Sequence, residues 1–361
     1  MRLLKLMLLA ALGASLTAVP ATAKPARVDR CAALKGHDLA PGMGQRAVRR
    51  GTELRFCARG GAVRRLGGSP SVRGADGHLL LVHRRGRVEV LDVSTGRLGR
   101  VGAAGAVVQA RVVASAGVVA VRRDAQGETL VVVAPGRRDV VVERGPEPVE
   151  ALEVFATTAS MLWRRGGGSS SAVLPHRAVT CGRLGGADEL AGPGRIVGFE
   201  EVYFGCIGGR DAPAFIVGST EAYGLDLATA QFSAGHGSWV LRESSESNQY
   251  HFGIDWTAID LATGRMTGIA SRSGGFCCPD GGDELREQVV LADGRVVAIL
   301  DAVSGTGDRR SRVVVLTPAG DHTALDSTEP GAPKALGLRV EGDVVRWTVG
   351  DQVRSAPLPP H

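Results

Sequence analysis

The chain has 361 residues and a formal charge of +6, from 43 Lys and Arg against 37 Asp and Glu. Its basic excess is almost all arginine, since Lys occurs only at 5, 24, 35 and 334, and no basic run with interleaved aromatics marks a nucleic-acid surface. The chain is long enough for one large all-β domain or two ordinary ones, and only 4% of its residues are aromatic.

Residues 1–23 read as a secretory signal peptide. Arg2 and Lys5 precede the apolar run LMLLAALGASLTAV, and Ala21-Thr22-Ala23 supplies the small residues of a cleavage site. The run is too short for a comfortable membrane span, and no later stretch is apolar enough for one. The residues VDRC at 28–31 place no small residue beside the cysteine, against lipid attachment there. Cleavage near Ala23 would leave a secreted or extracytoplasmic chain starting near Lys24, with a charge of +4 after Arg2 and Lys5 are lost.

Cys31, Cys57, Cys181, Cys206, Cys277 and Cys278 all follow the signal. An even number in an oxidising compartment predicts disulfides. Local pairing joins Cys31 to Cys57 and Cys181 to Cys206, with a separate arrangement for the adjacent pair. The absence of C-x-x-C argues against a thioredoxin-like centre or a zinc knuckle.

After the lead segment, 24–44, short Val-, Ile- and Leu-rich runs alternate with Gly, Asp, Pro and Ser clusters, the pattern of strands and tight turns. Residues 110–143 show it clearly, predicting a β-meander with strands near 110–115, 117–123, 128–133 and 138–143. The unit recurs. Arg97, Arg137 and Arg177 lie 40 residues apart at corresponding turns. One strand recurs at 79–85, 118–124, 160–166, 195–201, 238–244, 295–301 and 343–349. A period near 40 with four short strands per unit is the mark of propeller blades. Residues 45–67 align with the later strands of a unit and 335–358 with the first three. A single all-β propeller over 45–361 is therefore expected, closed by pairing of its N- and C-terminal strands, with seven blades or, alternatively, eight.

Two turns are nearly identical, LDVSTGR at 91–97 and IDLATGR at 259–265. In D-x-x-T-G-R the Asp and Thr side chains are expected to bond nearby backbone amides, while Gly supplies a positive φ. These turns resemble those of secreted bacterial propellers of the YVTN, TolB-like and quinoprotein types, whose repeats carry D-x-x-T-G-[KR]. The resemblance implies binding over a central channel. Quinoprotein blades carry a tryptophan shortly after that glycine. LDVSTGRLGRVG and IDLATGRMTGIA lack it, so no cofactor is expected.

Three segments are candidates for chemistry. SGGFCCPDGGDE (273–284) gathers Cys277 and Cys278 with Asp280, Asp283 and Glu284, which suits a structural staple first, then a metal or ligand contact or a redox-active vicinal disulfide. The segment 235–256 concentrates His236, Trp239, Tyr250, His251 and Trp256 in a chain poor in aromatics, and could form a ligand surface for sugar or another flat molecule; the competing reading packs both tryptophans between blades. Ser238, His236 and Asp255 are the residue types of a triad, but no G-x-S-x-G accompanies them, and H-E-x-x-H is absent. Glu200 and Glu201, adjacent on a strand, would point to opposite faces. The sequence thus predicts an exported, monomeric binding or interaction scaffold for an unknown protein or carbohydrate ligand, more a binder than an enzyme. A hydrolase or lyase at the channel mouth is the alternative.

Overall fold

The computed structural model describes residues 46–360, with 31, 34–36 and 38–39 ahead of them. The exceptions are 59–60, 157–158, 185–187, 191–193, 200–201, 209–210, 220–226, 248–250, 276–277 and 304–308. The predicted signal peptide lies outside the described residues. Among these, the chain is all-β and antiparallel, with one 3-10 turn and no α-helix.

The chain runs through successive antiparallel meanders. The first is three-stranded: β1 (Ala47–Arg50), β2 (Glu53–Cys57) and β3 (Val63–Leu66). Next come β4 (Ser71–Asp76), β5 (Leu79–Arg84), β6 (Arg87–Asp92) and β7 (Arg97–Ala103). The third meander is β8 (Val107–Val113), β9 (Gly117–Asp124), β10 (Gly127–Val133) and β11 (Val140–Gly145), close to the four strands predicted there. β12 (Val149–Phe155), β13 (Ser160–Arg165) and β14 (Gly168–Val173) form the fourth. β15 (Pro175–Thr180) and a 3-10 turn (Cys181–Arg183) lead into β16 (Asp188–Leu190), β17 (Gly194–Phe199), β18 (Val202–Ile207) and β19 (Pro213–Ser219). Longer strands follow: β20 (Leu227–Ala234), β21 (Trp239–Ser247), β22 (His251–Asp260) and β23 (Arg265–Gly275). Then come β24 (Cys278–Val290), β25 (Val296–Val303), β26 (Arg309–Leu316) and β27 (His322–Ser327). β28 (Ala335–Glu341), β29 (Val344–Val349) and β30 (Gln352–Pro357) end the chain as a three-stranded sheet.

The seven recurring sequence strands are β5, β9, β13, β17, β21, β25 and β29, each the second strand of its meander. In β5, β9 and β25 the apolar runs are continuous because both faces are covered, whereas β13 and β29 alternate buried and less buried positions. Leu80 and Val82 pack on Leu54 and Phe56 of the preceding sheet. The alternate residues Leu79 and Leu81 pack on Val118, Ala120, Val131 and Val133 of the following one. Val297 and Ile299 meet Val345 and Trp347 in the same way. Period-two alternation thus sends successive side chains into successive cores, each large aliphatic contributing roughly 2 kcal/mol by burial.

The repeat is broken in the middle of the chain. β14 does not take β15 as its fourth strand; its outer edge pairs with β23 instead, through Ser171–Met266 and Ala172–Arg265. β15 is released to the edge of β19, where Pro175 faces Phe215 and His176 faces Ala214. β12–β14 and β20–β27 consequently share one eleven-stranded sheet. At the ends, β1–β3 and β28–β30 remain separate sheets, and the strand exchange expected between them does not occur among the described residues.

Both local disulfides form: Cys31–Cys57, with Cα atoms 5.6 Å apart, and Cys181–Cys206, at 5.9 Å. They fit an oxidising, extracytoplasmic setting. No helix among the described residues is long and apolar enough to cross a membrane.

Candidate functional site

The two matching turns do the same backbone work. Each joins the third strand of a meander to the fourth. Asp92 Oδ1 accepts from the Ser94 amide (2.8 Å), the Thr95 amide (3.2 Å) and the Ser94 hydroxyl (2.5 Å). Asp260 accepts from the Ala262 amide (3.0 Å) and the Thr263 hydroxyl (2.6 Å). Gly96 and Gly264 close the turns at φ 71° and 81°, where a side chain would be strained. Asp and Thr are therefore turn-formers here, as expected.

Arginines on this side of the fold reach across to neighbouring turns. Arg64 Nη1 donates to the Thr95 carbonyl at 3.0 Å. The stem of Arg97 lies over Gly136, whose Cβ, were there one, would fall 2.9 Å from Arg97 Cδ. Arg137 Nε donates to the Arg177 carbonyl at 3.3 Å. The 40-residue recurrence of Arg97, Arg137 and Arg177 thus has a structural basis, but only Arg177 sits on a strand that has left its meander.

That departure opens a cleft. The β15–β19 register slips between His176 and Thr180, so residues 177–179 bulge from the ladder toward the β10–β11 turn. The Arg177 amide donates to the Ser115 carbonyl at 2.8 Å, fixing the bulge against the meander β8–β11. The space between has a volume of about 370 Å³ counted out to solvent. Ala116, Val132, Ala134, Val140, Pro175 and Pro213 give it apolar walls. Arg137, Arg138, His176, Arg177, Thr180 and Asp211 supply its polar groups.

The polar groups differ in how far they are already engaged. Arg177 is spent on the protein: Nε donates to the Ala114 carbonyl (2.6 Å), Nη1 pairs with Asp92 Oδ2 (3.1 Å), and Nη2 meets His78 Nε2. Burial alone would raise the Asp92 carboxyl; the Ser94 hydroxyl, Arg177, the Thr95 amide and His78 reverse this and hold it below the usual range. His176 Nδ1 accepts the Ala178 amide at 3.3 Å, which leaves the ring proton on Nε2. Burial, then the Arg177 charge, lower its pKa, so the ring is neutral at pH 7. Phe204 packs edge-on against it, 5.9 Å between centroids. Among the described residues, the terminal nitrogens of Arg137, the Arg138 guanidinium and the Asp211 carboxylate have no protein partner.

The sequence candidates fare otherwise. Trp239 and Trp256, 6% and 7% exposed, belong to the core between β21–β23 and β24–β26, so they do not form the ligand surface read for them. Trp256 Nε1 spends its proton on Glu243 (2.9 Å). His236 is exposed in the turn before β21. Tyr250 and the side chain of His251 lie outside the described residues. The segment 273–284 is the tip of the β23–β24 hairpin, with Ser273 facing Gly281. Its carboxylates meet arginines, Asp283 with Arg312 at 2.5 Å and Glu284 with Arg272 at 3.4 Å. Cys277, the side chains of Cys278 and Asp280, and Glu200 and Glu201 lie outside the described residues. Among the described residues no cluster of three or more His, Cys, Asp and Glu could hold a metal.

The triad of Ser238, His236 and Asp255 is not assembled. Trp239 faces Asp260, which puts Ser238 at the end of the β21–β22 ladder. Asp255 lies six residues from Leu261, the residue facing Ser238, roughly 20 Å away.

Elsewhere, buried and half-buried carboxylates are structural anchors. Asp301 accepts from Arg286 Nε (2.8 Å), Ser311 Oγ (2.7 Å) and Lys334 Nζ (2.9 Å). Burial would raise its carboxyl; the hydrogen bonds from Arg286, Ser311 and Lys334 hold it at about 2. Trp163 Nε1 donates to Glu143 (2.6 Å), and Trp347 Nε1 to Asp326 (2.9 Å). In both, a tryptophan on a second strand grips an acid on the fourth strand of the meander before it.

The cleft was missed in the sequence because AVLPHRAVT matches the repeat. The one local sign was Pro175, which cannot donate to a continuing ladder. The chain matches no protein-family model and no curated protein.

Proposed function

We propose that this is an exported binding scaffold of the β-propeller type, whose ligand site is the cleft between the β10–β11 turn and the β15 bulge. The observation that carries the reading is the cleft itself, where unengaged arginine and histidine donors converge over apolar walls. Such a setting orients a ligand with few polar contacts. Buried and half-buried carboxylates outside it are consumed by arginine, tryptophan, serine or lysine donors and serve packing. The propeller reading is supported by the seven equivalent second strands and by the face-to-face packing of neighbouring meanders at three junctions. Export is supported by the N-terminal sequence and by the two disulfides.

A metabolite and peptide screen by thermal shift, on protein purified after export, tests the function. The expected result is a hit whose stabilisation disappears in Val179→Trp, which fills the cleft at the bulge, and persists in Arg49→Ala, an exposed position on β1. A hit unaffected by Val179→Trp would move the site elsewhere. Small-angle X-ray scattering of the same sample is expected to give the profile of a short, wide disc; an elongated particle would refute the propeller arrangement.

A further inference from the structure

We infer that the cleft binds a monoanionic carboxylate joined to a compact apolar group. The carboxylate is held by Arg137 and Arg138, and the apolar group rests on Val132, Val140 and Pro213. This rests on the reading of the cleft as the binding site and adds the ligand's chemistry.

Arg177 cannot supply the recognition, since its fork is committed to Ala114, Asp92 and His78. It acts as a fixed wall. Arg137 is tethered at Nε only, which orients the side chain while leaving both terminal nitrogens for a ligand. Arg138 follows it, exposed at the same turn. Paired N–H donors of one or two guanidinium groups match the two oxygens of a carboxylate. The neutral His176 adds one further donor through Nε2 without adding charge.

The opposite features set the remainder of the ligand. The walls are predominantly aliphatic, which favours an uncharged apolar body over a sugar ring. Asp211 lies at the same opening with no cation paired to it among the described residues. It opposes a second negative charge, so phosphate and dicarboxylates are disfavoured relative to a single carboxylate. A leucine-like free acid and the C-terminal residue of a peptide share this chemistry.

Calorimetric titration of the whole exported protein separates the cases. N-acetyl-leucine is expected to bind saturably, and N-acetyl-leucinamide, which lacks the carboxylate, at least about tenfold more weakly. Arg137→Ala and Arg138→Ala, both outside the core, should each lower affinity for the acid about tenfold, with partial recovery in Arg138→Lys. Asp211→Asn should improve binding of succinate and inorganic phosphate relative to N-acetyl-leucine. Acetyl-Ala-Ala-Leu distinguishes the two sources: tighter binding than N-acetyl-leucine identifies a peptide terminus, and loss of binding identifies a free acid. Equal binding of acid and amide, or affinity unchanged in both arginine variants, would overturn the inference. If the leucine derivatives fail but another compound binds and is blocked by Val179→Trp, this ligand class falls while the cleft remains the site. If compounds bind regardless of Val179→Trp, the cleft reading falls as well.

Discussion

Asp92 and Asp260 hold matching turns but carry different loads. Asp260 bonds within its own turn, whereas Asp92 also anchors Arg177, 85 residues away in the chain. Asp260→Asn is expected to cost about 1 kcal/mol, the scale of one weakened hydrogen bond. Asp92→Asn leaves a partly buried guanidinium without its counter-charge, and about 3 kcal/mol is expected. Urea unfolding of both variants checks the difference, and equal losses would show that the Arg177 link is idle. Asp301 adds a pH dependence. Its carboxyl drops from 3.8 to about 2 on folding, so the folded state binds its proton less readily than the unfolded chain. Its contribution is therefore full above pH 4 and lost as pH falls from 3.8 toward 2, on the order of 2 kcal/mol. In Asp301→Asn the stability curve should be flatter across that interval than in the native protein.

Among the elements, the two disulfides are equal in span but not in position. They bridge 26 and 25 residues, so each should stabilise by about 3 kcal/mol through the unfolded chain. Cys181 follows β15 directly and Cys206 lies on β18, so this bridge braces the strand that walls the cleft. Cys31–Cys57 ties the lead segment to β2, away from it. Replacing Cys181 and Cys206 by serine should lower both stability and ligand affinity; replacing Cys31 and Cys57 should lower stability alone. Identical effects on affinity would mean that the bridge does not position β15. The strands themselves were legible in the sequence. VVAVRRD and RVVAILD are continuous apolar runs between turn residues, and the structure makes them β9 and β25. The turn chemistry of LDVSTGR was equally legible, because side-chain to backbone bonding is local. Trp239 and Trp256 were not. Their clustering is a fact of sequence, while their burial depends on which sheet lies opposite.

At the scale of the molecule, the repeat predicts its meanders, and the functional reading rests on the place where the repeat fails. β15 has the composition of a fourth strand and the spacing of one. Its partner is decided by competition for an edge, which period-two alternation cannot encode. For the same reason the sequence suggested that the two end sheets would share a strand, whereas among the described residues each is complete in itself. The β14–β23 pairing carries a cost in time as well. Most ladders in this chain close between neighbours, but this one joins residues 171–172 to 265–266. Closing a loop of that length costs roughly 3 kcal/mol more entropy than a tight hairpin, and such distant pairings slow folding. A chain emerging from its N-terminus can complete β4–β11 early. β14, however, must wait until nearly a hundred further residues have appeared before its edge is filled, and once β19 has emerged β15 has two edges open to it. The order of emergence thus helps decide which edge β15 joins, and with it whether the cleft exists.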